Sequence, residues 1–230
     1  MRKHLLGAAA TDPNWTPRFS AKNPFVTAPV KRIGTRGMVV SWFPTWKGGR
    51  RMEPLRRYVH IDMAFLLEAD PEVERWSATE GHPLMVPFAA VRDPRAPDFV
   101  ARSGGRHFAI YVRAGDEDGV PDSGDLARRG YVNRVVRVAE LATDACLPVA
   151  RDILYFRTAD VPDGTDLSAM NLLLGPRPPK TLGGLHQALD GGLAWGQVLS
   201  LVGRGLVRVK LAPVIDGGTA ITGVNPEGWR

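Results

Sequence analysis

A single cysteine, Cys146, occurs in 230 residues. One thiol cannot close an internal disulfide, and this one sits in a helical apolar pattern that reads as a buried core thiol. No apolar run approaches the roughly 18 uninterrupted residues of a membrane span. The opening MRKHLLGAAATDPNW starts basic, but its apolar stretch is too short for a secretory signal. A cytoplasmic location without a membrane partner is the expectation. Glycine fingerprints for phosphates or dinucleotides are missing, since Gly104-Gly105 and Asp190-Gly191-Gly192 are turn sequences. No nucleophile-elbow sequence supports a Ser-His-Asp triad. His4, His82, His107 and His186 show no metal-ligand spacing among themselves or with Cys146.

Acidic groups are scarce in the first quarter of the chain. Residues 1–57 hold twelve Lys/Arg against only Asp12 and Glu53, a net charge of +10. The remainder carries eighteen basic and twenty-two acidic groups, a net −4, so the overall +6 hides a basic arm on a mildly acidic body. Such an arm suits a polyanion, DNA first among them; a solvated tail is the bland alternative. Trp15, Phe19, Phe25, Trp42, Phe43 and Trp46 interleave with the cations, which favours ordered contact with a partner over a solvated tail. Otherwise the composition, 44% hydrophobic and 23% charged, is that of an ordinary globular protein.

The hydrophobic pattern predicts the following organisation. Residues 1–32 are an extended basic arm without period. MVVSWF is a short strand, followed by a Pro/Gly turn into a first helix, VHIDMAFLLEADPEVERW, with Val59, Met63, Leu66 and Leu67 as its stripe. Asp70-Pro71 stops that helix, because the residue before proline leaves the α region. Three extended runs, HPLMVPFAAV, APDFVARS and RHFAIYVRA, come next, then a loop over 115–119. A second helix is expected over 124–145, capped by Ser123, and a last strand at DILYFRTADV. A helix between two strands implies a crossover and at least one parallel pair. Gly175-Pro176-Arg177-Pro178-Pro179 is the best linker candidate. Around it, helices over 166–174, 182–189 and 193–202, then strands LVRVKLA and TAITGV, follow the winged-helix order over 165–225. The fold class expected is α/β: a restriction-endonuclease-like mixed sheet over 33–164, then a small winged helix.

Short motifs support that layout. Arg36-Gly37 and Trp42-Phe43-Pro44-Thr45-Trp46-Lys47 precede the helix, Leu66-Leu67-Glu68-Ala69-Asp70-Pro71-Glu72-Val73 ends it, and Pro97-Asp98-Phe99-Val100 opens a strand. In order and spacing, over about residues 30 to 225, the chain resembles the TnsA-like transposon endonuclease family, whose members cut one strand at transposon ends beside a transposase. The resemblance implies a metal-holding set of three acids and a lysine. Here the helix acid falls on His60, the strand acid on Tyr111 and the lysine on Arg113, leaving Asp98 alone. Mg²⁺ takes hard oxygen ligands in an octahedron, and one carboxylate with an imidazole makes a poor site for it. The expected protein is therefore a retired nuclease that still binds DNA, with no cofactor and no metal site, and with a transposase-type protein as a further partner. Two alternatives stand beside it. One is an active Mg²⁺- or Mn²⁺-dependent endonuclease using Asp98 and a migrated acid, such as Asp116, Glu117 or Asp118. Asp62 lies roughly 200° around the helix from His60 and faces the wrong way. The other alternative is a protein–protein adaptor.

Residues expected to meet DNA are Arg36, Lys47, Arg50, Arg51, Arg56 and Arg57 in the basic segment. In the last domain they are Gln197, Ser200 and Arg204 on the recognition helix, with Arg208 and Lys210 on the wing. The recognition helix carries so little charge that packing or protein contact is its bland reading.

Overall fold

The computed structural model describes residues 41–47, 49–55, 57–78, 96–115, 124–189 and 192–228. The arm at 1–32, the run at 82–91, Arg36, Arg56 and the acids Asp116, Glu117 and Asp118 lie outside them. Within them the protein is a mixed α/β structure.

Strands β1 (Ser41–Thr45) and β2 (Arg51–Leu55) form an antiparallel hairpin that pairs Trp42 with Pro54 and Pro44 with Met52. The strand expected at MVVSWF thus gains a partner where only a turn was foreseen. Side chains alternate along a strand. Ser41, Phe43, Thr45, Glu53 and Leu55 point inward, while Trp42, Pro44, Met52 and Pro54 form the outer face. Glu53 ties the hairpin to the next strand by accepting from Ser77 Oγ at 3.1 Å and Ala78 N at 2.8 Å, with Arg51 beside it.

Helix α1 (Tyr58–Ala69) ends where Asp70-Pro71 predicts. Its buried residues are His60, Met63, Ala64, Leu67 and Glu68. That is one helical stripe, but polar groups occupy both its ends. Burying Met63 and Leu67 contributes roughly 1.5–3 kcal/mol each. Asp70 then turns the chain, with Oδ1 accepting from Glu72 N at 2.9 Å and its carbonyl from Val73 N at 3.1 Å. Val73, beyond that stop, opens strand β3 (Val73–Ala78), which the pattern did not foresee.

The main sheet has the order β3, β4 (Phe99–Ser103), β5 (Arg106–Arg113), β6 (Tyr131–Arg137). The first two pairings are antiparallel and β5–β6 is parallel, so the sheet is mixed. One sheet face, with Trp76, Phe99, Ile110 and Val112, packs on α1; the other buries Val100, Ala109 and Tyr111 against Leu126.

Two expected elements are corrected here. The helix predicted over 124–145 is broken into α2 (Gly124–Arg128), strand β6 and α3 (Val138–Ala142). Gly130, at φ +80°, turns the chain, and YVNRVVR is rich in branched and aromatic side chains that suit a strand beside β5. The strand predicted at 152–161 is instead covered by helix α4 (Leu147–Phe156) up to Phe156. Pro148 fits its first turn, and Leu147, Ala150, Ile153 and Leu154 bury one helical face. A parallel pair exists as expected, with 131–137 as its second strand.

The remaining residues form α5 (Thr165–Leu173), α6 (Leu182–Ala188), α7 (Trp195–Gly203) and a hairpin of β7 (Val207–Val209) with β8 (Ile221–Val224). The proline-rich joint at 175–179 connects two helices of one core, since Leu173 and Leu182 bury in the same cluster. Gly183 belongs in α6 because a Cβ there would stand 2.7 Å from the Gly217 carbonyl oxygen. Ile153 of α4 joins this core as well. No helix among the described residues is long and apolar enough to cross a membrane.

Candidate functional site

Asp98 sits at the mouth of the sheet, just before β4, with 16% of its side chain exposed. Its carboxylate accepts from Val112 N at 2.7 Å, Arg113 Nη1 at 3.0 Å and Arg57 Nη2 at 3.1 Å. His60 Nε2 lies 3.2 Å from Asp98 Oδ1 and 3.1 Å from Arg57 Nε. One ring nitrogen cannot serve both neighbours: protonated it donates to Asp98, unprotonated it accepts from Arg57. The ring also packs edge-on to Phe99, centroids 5.3 Å apart. Burial pushes the Asp98 carboxyl up, but His60, the Val112 N–H and Arg57 outweigh it and hold the group below its ordinary range.

Of the four positions singled out by motif spacing, three meet in space. Asp98, His60 and Arg113 share the pocket, whereas Tyr111 is fully buried in the opposite sheet face, with Arg113 Cζ 5.1 Å from its ring centre. Arg57, expected on DNA, is the residue that completes the pocket. Arg57 and Arg113 charged and Asp98 ionised together give a formal charge of +1, before any contribution from His60. The donor set does not fit a hard cation. Its one carboxylate is already braced by two guanidiniums, and among the described residues no group of three or more His, Cys, Asp or Glu is placed to hold a metal. Asp62 pairs with Arg151 on α4, away from the pocket as its helical phase requires.

A second polar cluster was not legible in advance. Glu68, at the far end of the α1 stripe, accepts from Thr45 Oγ1 at 2.8 Å, Trp46 N at 2.8 Å and Trp76 Nε1 at 2.7 Å. Arg157, just past α4, places Nη2 2.8 Å from Glu68 Oε1, both side chains fully covered. Lys47 is wholly buried and donates to the carbonyls of Leu67, at 2.9 Å, and Asp70. Burial lowers the Lys47 amine to about 7, with Glu68 and Asp70 offsetting only part of the effect. Burial likewise lowers Arg157 against the pull of Glu68. Glu68 itself is pushed up by burial, yet Arg157, Lys47 and the Trp46 N–H hold it below its ordinary range. The only advance signal was that Glu68 lies eight residues after His60, on the same helical face.

The residues expected to face DNA divide sharply. Arg50, Arg57, Arg208 and Lys210 are exposed. Lys47 and Ser200 are buried, the latter donating to the Arg157 carbonyl at 3.2 Å, so neither offers a surface contact in this fold. Arg204 grips Asp166 with both terminal nitrogens, at 2.6 and 2.7 Å. Gln197 closes the start of its own helix, accepting from Ala194 N and donating to the Asp160 carbonyl, both at 2.7 Å. Residues 198–203 of α7 are buried on every side, because α4 covers the face expected to read bases. Arg51 is half-covered beside Glu53. Cys146 is half-buried, at the residue before α4.

The chain matches no protein-family model, and a search of curated proteins returns no match. Its chemistry therefore rests on its own residues.

Proposed function

We propose that the protein binds DNA on a nuclease-like scaffold that no longer cuts, similar in descent to the TnsA-like transposon endonucleases. One observation carries this reading: where catalysis would need clustered carboxylates around a metal, Asp98 is held by Arg57 and Arg113 beside His60. Such a pocket repels phosphate less than a triad of acids does, because close like charges cost several kcal/mol at intermediate dielectric. The helix followed by β3, β4, β5, α2 and β6 in a mixed sheet supports the restriction-endonuclease-like part of the proposal. Three helices followed by a hairpin support a winged-helix relationship for the C-terminal part. In that part the wing residues Arg208 and Lys210 make the phosphate contacts, since α7 is covered. A transposase-type protein is the partner this resemblance suggests, with occupancy of DNA as the mode of action.

The test is duplex binding and plasmid cleavage by the purified chain. Binding is expected to persist in EDTA and to weaken steeply as salt rises from about 50 to 200 mM. Supercoiled plasmid is expected to stay intact with Mg²⁺ or Mn²⁺. Metal-dependent nicking that disappears in Asp98→Ala overturns the reading.

A further inference from the structure

The hairpin β1–β2 leaves one face without a protein partner among the described residues. Trp42 is 46% exposed and Met52 50%, and the two are diagonal neighbours, roughly 7–8 Å apart at Cα, with Pro44 and Pro54 completing the surface. Leaving an indole and a thioether in water forfeits burial that most cores would take. Among the described residues from 41 to 57, the exposed charge is positive. Arg50 is exposed with Cζ 4.6 Å from the Trp46 ring centre, Arg57 is exposed where α1 begins, and the one acid between residues 41 and 57, Glu53, is buried and bonded. Tyr58, 66% exposed, adds an aromatic ring no more than about 14 Å of chain beyond Pro54.

Flat apolar groups flanked by cations complement a polyanion that also presents π faces. A paired duplex hides its base faces in the stack; unpaired bases expose them, and an indole gains from covering one. A peptide strand is a poorer match. The two prolines remove backbone donors from both strands of the hairpin, so its edges offer less to strand addition. We infer that the outer face of the β1–β2 hairpin, centred on Trp42 and Met52, is a stacking surface for unpaired bases of a nucleic acid whose backbone is met by Arg50. This deepens the DNA-binding reading and rests on it. It assigns the protein a preference for DNA with a locally opened segment, the form that strand-transfer and repair reactions produce.

The experiment compares two labelled duplexes, identical except for about four central unpaired bases, by fluorescence anisotropy with the full chain at about 50 mM salt. The opened duplex is expected to bind about tenfold more tightly than the paired one. Trp42→Ala is expected to weaken binding of the opened duplex about tenfold more than binding of the paired one, and Trp42→Phe to restore the preference. Equal affinity of the wild type for both duplexes overturns the stacking surface while leaving the DNA-binding reading intact. Equal loss of binding to both in Trp42→Ala, or failure of Phe to rescue, also overturns it. Binding to neither duplex removes the underlying reading as well. A Trp42-dependent dimer in sedimentation, without any effect on DNA, assigns the surface to a second copy and overturns the proposal.

Discussion

A carboxylate wedged between two guanidiniums and an imidazole is tuned by its neighbours, and Asp98 is the case in point. Because its folded pKa lies below the ordinary carboxylate value, the unfolded chain binds more protons there than the folded chain at acid pH. The stabilisation is therefore complete above the ordinary value and fades as pH falls through the lowered one. Asp98→Asn is expected to cost about 1–3 kcal/mol near neutral pH, measured by urea unfolding, and the gap between variant and wild type is expected to close in strong acid. A constant gap across that range contradicts the assignment. At this scale the sequence told much about the pocket and little about the cluster behind it. His60, Asp98 and Arg113, named together by motif spacing, do meet in space, because a helix phase and a strand position fix where each side chain points. Arg57 was expected on DNA rather than in this pocket, and Arg157 was not singled out at all, since their reach depends on chain segments 41 and 89 residues apart meeting in space.

Elements obey their neighbours as much as their own pattern. Residues 131–137 carry apolar groups spaced well enough to read as helix, yet strand β5 offers an unpaired edge and the branched side chains take it. Residues 147–156 show the reverse: LYF looks like strand, but Pro148 and the burial of Leu147, Ala150, Ile153 and Leu154 specify a helix between two packing partners. The helices and hairpin of the last third were legible because glycine turns punctuate them. Gly183 tests how far propensity governs such an element. An isolated helix would favour alanine by about 1 kcal/mol. Here the new methyl meets the Gly217 carbonyl, so Gly183→Ala is expected to destabilise by about 1–3 kcal/mol in thermal or urea unfolding. Stabilisation would mean that α6 and the 216–218 turn are not in contact.

Across the whole molecule, α4 stands between two apolar cores, packing on α1 to one side and α7 to the other. The covered Glu68–Arg157 pair crosses the same seam. A buried ion pair is weak evidence for net stability, but breaking one partner alone leaves an uncompensated charge. Glu68→Gln is expected to cost about 3–5 kcal/mol, while Glu68→Gln combined with Arg157→Met recovers a large part, as a double-mutant unfolding cycle would reveal. Additive losses would place the two side chains apart. The shared helix has an evolutionary corollary. A cut in the gene anywhere between codons 157 and 165 would not release two independent modules. It would strip the shelter from α7 on one fragment and strand the apolar flank of α4 on the other, so recombination that shuffled this tail onto a new head would have to carry α4 along as part of the cargo.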